Sequence, residues 1–194
     1  CDATLTPVKS AGSFVAGTCP EEGTYTNTWT VTDCAGNVSA VYTQVITIED
    51  TQAPTWTTAE GALDITLQCS DASGLATAQS QAPVATDNCD ATLTPVKSAG
   101  SFVDGTCPEE GTYTNTWTVT DCAGNVSAVY TQVITIEDTQ APTWTTAEGA
   151  LDITLQCSDA SGLATAQSQA PVATDNCDAT LTPVKSAGSF VAGT

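Results

Sequence analysis

Cysteine is the residue type in this sequence whose chemistry is most open to inference. The chain has nine cysteines, and the four between positions 69 and 122 are spaced 20, 18 and 15 residues apart. This usage favours disulfides formed in an oxidising compartment. Zinc is the competing use, but the chain has no CxxC pair and no histidine. The cysteines expected in disulfides are Cys19, Cys34, Cys69, Cys89, Cys107, Cys122, Cys157 and Cys177.

The charge balance excludes several classes of protein. The chain has 22 acidic residues against three lysines, for a net charge of −19. Such a chain cannot neutralise phosphates, so nucleic acid is not an expected partner, and anionic lipid surfaces repel it. Without histidine, Ser-His and Cys-His catalysis is excluded. Because no other catalytic arrangement is apparent, we expect a protein that is not an enzyme and has no catalytic residues.

The sequence repeats itself with a period of 88 residues. The string CDATLTPVKSAGSFV begins at Cys1, Cys89 and Cys177, and the copies are nearly identical. A period of this kind has to be recognised before the fold is assigned. The sequence shows no signal peptide and no apolar run long enough to span a membrane. We interpret the chain as a window from a longer array, with a repeat number that the sequence leaves open.

The module boundary is placed at the segment DTQAP, which ends at Pro54 and again at Pro142. Proline stops strand pairing, and a short polar joint before it is typical of a linker between domains. Residues 51–138 then form one complete module. Residues 1–50 are the C-terminal part of the preceding module, and residues 139–194 are the N-terminal part of the next.

Within the complete module, apolar and polar residues alternate with a period of two. This alternation is clear over residues 63–69 and 112–121, while residues 128–138 are apolar on both faces at their centre. Such patterns predict half-buried antiparallel strands. The DCAGN segment at 121–125 predicts a tight turn that joins two strands in a hairpin. Only residues 71–81 suggest a short helix or a loop. We predict an all-β fold, a sandwich of about seven strands.

The ordered set of segments DTQAP, LDITLQC, ATDNCD, GTCPEEGTY, TWTVTDCAGN and VITIED resembles a known family. It is similar to the hyalin-repeat (HYR) and related immunoglobulin-like modules of very large bacterial surface adhesins, including gliding-motility adhesins of the Bacteroidetes. The resemblance covers the whole 88-residue unit. It implies tandem immunoglobulin-like antiparallel β-sandwich modules, strung head to tail at an extracellular cell surface.

The resemblance also implies where a metal would bind. In an immunoglobulin-like sandwich several loops share the pole at which the module begins, and here that pole would collect carboxylates, amide carbonyls and Cys69. Ca²⁺ takes six to eight oxygen ligands in loose geometry, and related adhesin modules hold it at their joints. The alternative is that these residues are only turn formers. The candidate calcium ligands are Asp50, Asp87, Asn88, Asp121, Asn125, Asp138 and Asp175.

The same predicted geometry constrains the disulfides. An extended strand over residues 112–121 would span ~33 Å. Bridged cysteines need Cα atoms within about 7 Å, so Cys107 and Cys122 would lie at opposite poles if that strand is regular. One hypothesis therefore pairs Cys69 with Cys89 inside the module and Cys107 with a cysteine of the next module. Cys19 would do the same toward module 51–138.

The second hypothesis keeps both bonds inside each module, as Cys69–Cys89 and Cys107–Cys122. It requires the strand to start later or to curl. Inter-module bonds are unusual, and the sequence leaves the two hypotheses open.

Two functions are compatible with these features. The first is a rigid, acidic stalk or filament that is cross-linked through disulfides and calcium at its joints, with neighbouring repeats and further copies as partners. The second is a binding module that grips a glycan or protein through exposed loops and gains strength from repetition. The aromatic residues favour the stalk, because they lie in strand-like stretches where a core use is expected.

Overall fold

The computed structural model describes residues 4–192, so Cys1, where the repeated string begins, lies outside the described residues. Thirteen strands and two helices occur in this part of the chain. They are β1 (Val8–Ser10), β2 (Phe14–Ala16), β3 (Gly23–Thr30), β4 (Tyr42–Ile48), β5 (Thr55–Trp56), β6 (Ile65–Gln68), α1 (Ala72–Ser80), β7 (Ala85–Thr86), β8 (Val96–Ser98), β9 (Phe102–Asp104), β10 (Gly111–Thr118), β11 (Tyr130–Glu137), β12 (Thr143–Trp144), α2 (Ala160–Ser168) and β13 (Ala173–Thr174).

The fold is all-β and sandwich-like, as the alternating sequence predicts. One sheet of four strands has β3 at its centre, paired with β1, β2 and β4. A second sheet has the order β6-β11-β10-β8, with β9 also paired to β10. Two small sheets pair β5 with β7 and β12 with β13. Residues 71–81, for which the sequence suggests either a short helix or a loop, contain helix α1. Asp71 caps the first turn of this helix by accepting a 2.8 Å hydrogen bond from the Gly74 N–H.

Contacts group the chain into two compact units. Among the described residues, the first unit comprises residues 4–63, 81–100 and 114–132, and the second comprises residues 64–80, 101–113 and 133–192. The strands β10 and β11 contribute residues to both. These units follow contacts and not the repeat, so the module boundaries at 50/51 and 138/139 stay a prediction.

The core of the first unit is built on aromatic residues of the alternating strands. Trp117 and Tyr130 are buried, and their rings pack edge to face with their centroids 6.2 Å apart. Trp56 of β5 packs on Tyr130 at 5.6 Å and donates its indole N–H to the Ala128 carbonyl at 2.7 Å. These contacts place the β5–β7 pair against the ends of β10 and β11 in this unit, which gives the layered arrangement of a sandwich.

Buried polar side chains cross-link the same core. Asn115 and Gln132 are fully buried, and the Asn115 amide donates to Gln132 Oε1 at 3.0 Å. Asn115 Oδ1 accepts from the Gly100 N–H at 3.2 Å, and Gln132 Nε2 donates to the Leu63 carbonyl at 2.9 Å. The side chains of Asn115 and Gln132 therefore both have hydrogen-bond partners, as burial away from water requires.

The core of the second unit is smaller and aliphatic. Ile134, Ile136 and Ala78 form its buried centre, with Leu67 and Phe102 among the half-buried side chains around them. Strand β6 pairs with β11 in parallel, with Leu67 opposite Ile136. This direction fixes the position of the cysteine that follows β6. Within residues 4–192, no helix is long and apolar enough to cross a membrane.

Candidate functional site

The first unit contains a disulfide between Cys19 and Cys122. Their Cα atoms are 5.7 Å apart, within the range of an ordinary bridge. Cys19 begins the turn between β2 and β3, where its carbonyl accepts from the Glu22 N–H at 3.2 Å. The two cysteines are 103 residues apart in sequence, which is longer than the 88-residue period. The bond therefore joins residues of consecutive repeats.

The DCAGN turn positions Cys122. Asp121 Oδ1 accepts from the Asn125 N–H at 2.7 Å, and its Oδ2 accepts from the Asn125 amide at 2.9 Å. Burial raises the pKa of Asp121, but the hydrogen bonds within the turn, chiefly from Asn125, outweigh it, and the pKa lies below its ordinary value. The Cys122 N–H donates to Asp90 Oδ2 at 2.6 Å. The turn is thus held at both sides of the cysteine.

Cys89 lies beside this disulfide in a cluster with two carboxylates. Its sulfur and one carboxylate oxygen each of Asp50 and Asp87 lie within 4.8 Å of one another. Asp87 Oδ1 accepts from the N–H groups of Cys89 at 2.8 Å and Asp90 at 3.1 Å, which fixes the loop. Burial, and after it the negative charges of Asp50 and Asp87, raise the pKa of the Cys89 thiol. The thiol is therefore held in its neutral form near pH 7.

The second unit contains a disulfide between Cys69 and Cys177. Their Cα atoms are 5.8 Å apart, and they are separated by 108 residues in sequence, again more than one period. Asp138 lies within 4.8 Å of both sulfurs. Asp175 Oδ1 accepts from the Cys177 N–H at 2.9 Å, and this bond chiefly lowers the pKa of Asp175. The loop before Cys177 thus repeats the loop before Cys89.

The position of Cys69 differs from the sequence-based expectation. The resemblance to an immunoglobulin-like sandwich predicts Cys69 at the pole where the module begins, with Cys89, but the Cys69 N–H donates to the Glu137 carbonyl at 3.0 Å. The side chain of Gln68 donates to Oγ1 of Thr139 at 2.8 Å, and Thr139 lies in the linker that follows β11. The physical reason is the parallel pairing of β6 with β11, which carries the end of β6 to the end of β11.

Neither hypothesis for the disulfides describes the structure completely. Cys69 does not pair with Cys89, and Cys107 does not pair with Cys122. The expected bond from Cys19 to module 51–138 is present as Cys19–Cys122.

The other predicted disulfide residues are placed as follows. Within the described residues, Cys89, Cys107 and Cys157 are thiols, and Cys34, Cys107 and Cys157 are exposed.

The predicted calcium ligands fall into two groups. In the first unit, Asp50 and Asp87 lie close together. In the second unit, Asp138 lies beside the Cys69–Cys177 disulfide, and Asp175 precedes Cys177 by two residues. The other three candidates are engaged elsewhere. Asp121 and Asn125 bond each other, with Asn125 also donating to the Asp50 carbonyl at 3.3 Å, and Asn88 donates to the Cys89 sulfur at 2.9 Å. These three therefore act as turn formers and donors.

The carboxylates fit a cation in part. Oδ2 of Asp87 is buried and has no hydrogen-bond partner among the described residues. An orphaned carboxylate oxygen that faces a second carboxylate is stabilised by a cation or a shared proton. Asp50 and Asp87 would hold such an ion, and Asp138 and Asp175 are their counterparts one period later. Bound there, the ion would neutralise the repulsion between the carboxylates.

Two glutamates in these clusters were not among the predicted site residues. Glu22 Oε1 accepts from the Asp50 N–H at 2.8 Å, and Glu110 Oε1 accepts from the Asp138 N–H at 3.2 Å. The available signal was the recurrence of CPEEG, in which the second glutamate lies three residues after each cysteine of this position.

Comparison with protein families agrees with this description. Residues 57–136 match the HYR-like domain with 4 cysteines, and residues 3–50 match a bacterial Ig-like domain. No curated protein and no solved structure gives a significant match. The predicted resemblance is confirmed for the repeat, while its link to giant gliding-motility adhesins stays a prediction. The domains and the disulfides are consistent with an extracellular adhesion-type repeat. The repeated unit of this chain is therefore similar to HYR-like and bacterial immunoglobulin-like domains.

Proposed function

We propose that the chain is a structural stalk segment of an extracellular bacterial surface protein, in which disulfides fasten each repeat to the next. The supporting observation is the sequence separation of the bonded cysteines. It is 103 residues in one disulfide and 108 in the other, and both values exceed the period of 88 residues. The segment carries load and has no catalytic role. Its partners are neighbouring repeats of the same chain and, in a filament, further copies.

The physical basis is the small size of the repeat. A domain of this size buries only about 60–65% of the surface of its unfolded chain, so its stability is marginal. A disulfide that closes a loop of about 100 residues contributes about 4.7 kcal/mol in the chain-entropy model. Bonds of this kind suit a compartment outside the cell, where they persist. Each repeat is then stabilised by its neighbour as well as by its own core.

The ligand-binding alternative has less support. Trp117 and Tyr130, two of the aromatic side chains that would attract a glycan, are buried in the core of the first unit. The acidic surface also leaves few hydrogen-bond donors for an anionic ligand, since the chain has three lysines.

The stalk proposal is tested by mapping disulfides in the purified, non-reduced chain. We expect peptides that link Cys19 to Cys122 and Cys69 to Cys177. Replacing Cys122 by Ser should lower the thermal midpoint by about 5–15 °C, because a long-loop cross-link is lost. Cys157→Ser, at an exposed thiol, is the matched control and should leave the midpoint unchanged. Finding Cys69–Cys89 and Cys107–Cys122 peptides instead would refute covalent joints.

We also propose that Ca²⁺ binds between Asp50 and Asp87. Calcium should raise the thermal midpoint and a chelator should reverse the rise, since a ligand that binds only the folded state stabilises it. Asp87→Asn should abolish the calcium effect. Asp104→Asn is the control, because Asp104 is exposed and its counterparts Ala16 and Ala192 carry no charge. A midpoint that ignores calcium in the unmodified chain would end this part of the proposal.

A further inference from the structure

We propose that both disulfides close at every joint between consecutive repeats, so that each repeat is held to the next by two covalent bonds that bypass the linker. The inference deepens the proposed stalk function and rests on it. It follows from applying the repeat to the two bonds that the chain displays.

The 88-residue period sorts the cysteines into four positions. The equivalent residues are Cys19 and Cys107, Cys34 and Cys122, Cys69 and Cys157, and Cys1, Cys89 and Cys177. The bond in the first unit uses the first and second positions, and the bond in the second unit uses the third and fourth. Every position of the repeat therefore forms a bond to a neighbouring repeat in one of the two units.

In the first unit, the two cysteines that would bond to the preceding repeat, Cys89 and Cys122, lie together. Cys89 shares one small cleft with the Cys19–Cys122 bond and with Asp50. Cys89 is equivalent to Cys177, which is bonded in the second unit. One end of a repeat thus has two adjacent cysteines that can form disulfides with the repeat before it.

In the second unit, Asp138 has contacts in the surroundings of both cysteines that bond to the following repeat. Glu110, in the turn that begins at Cys107, accepts from the Asp138 N–H at 3.2 Å. Asp138 itself lies within 4.8 Å of the sulfurs of Cys69 and Cys177. Cys107 is equivalent to the bonded Cys19. The other end of a repeat therefore has two cysteines, at the positions of Cys69 and Cys107, that can form disulfides with the repeat after it.

The thiols of Cys89 and Cys107 already have the local hydrogen bonds of their bonded equivalents. Asp87 Oδ1 accepts from the Cys89 N–H at 2.8 Å, and Asp175 Oδ1 accepts from the Cys177 N–H at 2.9 Å. Likewise, the carbonyl of Cys107 accepts from the Glu110 N–H at 3.1 Å, against 3.2 Å for Cys19 and Glu22. Because the loops are fixed in advance, bond formation requires little ordering of the backbone.

Each bond forms by thiol–disulfide exchange. The disulfide of an oxidoreductase accepts two electrons from a pair of thiols, which lose two protons, and it is released as a dithiol. The exposed thiol of the Cys157 position attacks first and forms a mixed disulfide with the oxidant. The thiol of the Cys89 position then attacks the mixed disulfide, releases the oxidant as its dithiol and closes the bond.

The test uses a chain lengthened by one period, with a second copy of residues 51–138 inserted after Asp138 and a protease site placed in the linker between the copies. Cys69 and Cys107 of the first copy then face the equivalents of Cys89 and Cys122 in the second. After cleavage, the chain should remain one band on a denaturing, non-reducing gel and separate into two bands with reductant.

Single and double variants in the first copy identify the number of bonds. Cys69→Ser alone and Cys107→Ser alone should each leave the cleaved chain as one band, and only the double variant should separate. Separation of either single variant would show one bond per joint and overturn the inference. If the unmodified chain lacks Cys19–Cys122 and Cys69–Cys177 altogether, the stalk proposal fails instead, so the two failures are distinguishable.

Discussion

The segment YTQVITI occurs twice in the described structure, as β4 and as the first seven residues of β11, with different environments. Tyr42 is 70% exposed and Tyr130 only 3%, while Ile46 is 39% exposed and Ile134 is fully buried. In the sheets, β4 pairs with β3, whereas β11 pairs with β10 and also with β6. The same side chains therefore become core or surface according to the elements that cover them.

The DCAGN turn shows the opposite behaviour. Asp33 accepts from the Asn37 N–H at 2.7 Å, and Asp121 accepts from the Asn125 N–H at the same distance. These hydrogen bonds of the aspartate recur in the two repeats because their donor lies only four residues further along the chain. The comparison separates features that the local sequence encodes from features that require a distant partner.

The largest expected effect tests the burial difference between the two strands. Ile134→Ala should lower the free energy of unfolding by about 2–5 kcal/mol, because it leaves a cavity in a packed core. Ile46→Ala, at the equivalent exposed position, should cost well under about 1 kcal/mol. Denaturant unfolding of both variants measures the difference. Equal losses would mean that the two strands have the same environment in solution.

A smaller effect is expected for the buried polar pair. Asn115→Ala should cost about 1–3 kcal/mol, because the Gly100 N–H and Gln132 Oε1 lose a buried partner. Asn27→Ala should cost less, since the Asn27–Gln44 hydrogen bond is only partly buried. Thermal unfolding of the two variants provides the ranking, and a larger loss for Asn27→Ala would reverse our interpretation of the network.

The smallest effect concerns the turn, where the two repeats should agree. Hydrogen bonds from Asn37, against opposing burial, lower the pKa of Asp33, and the turn lowers the pKa of Asp121 in the same way. A lowered folded pKa means that the stabilisation is present above the ordinary carboxyl pKa and is lost as the pH falls through the folded value. NMR titration of the carboxyl carbons should place both transitions below the ordinary aspartate range. A normal value for either residue would contradict the turn geometry.

Much of the strand structure was predictable from local pattern. The alternation over residues 112–121 predicted β10 and the inward positions of Trp117 and Asn115, and the turn at 121–125 followed from its residue types. The location of Cys69 was not predictable in this way. A period of two is the same for a strand that pairs in parallel and one that pairs antiparallel, so the direction of β6 relative to β11 remained open.

In the candidate site, too, some features depend on local sequence and others depend on contacts between distant residues. The strands, the turns, the acidic character and the expectation of disulfides depend on composition or on near neighbours in the chain, so they could be predicted from the residues. The pairing of Cys19 with Cys122 and of Cys69 with Cys177 depends on contacts between distant segments and is visible only in the folded chain. In a repeat, every cysteine has an equivalent one period away, so spacing alone cannot distinguish a bond inside a repeat from one between repeats. That choice is made where the folded strands bring the sulfur atoms together.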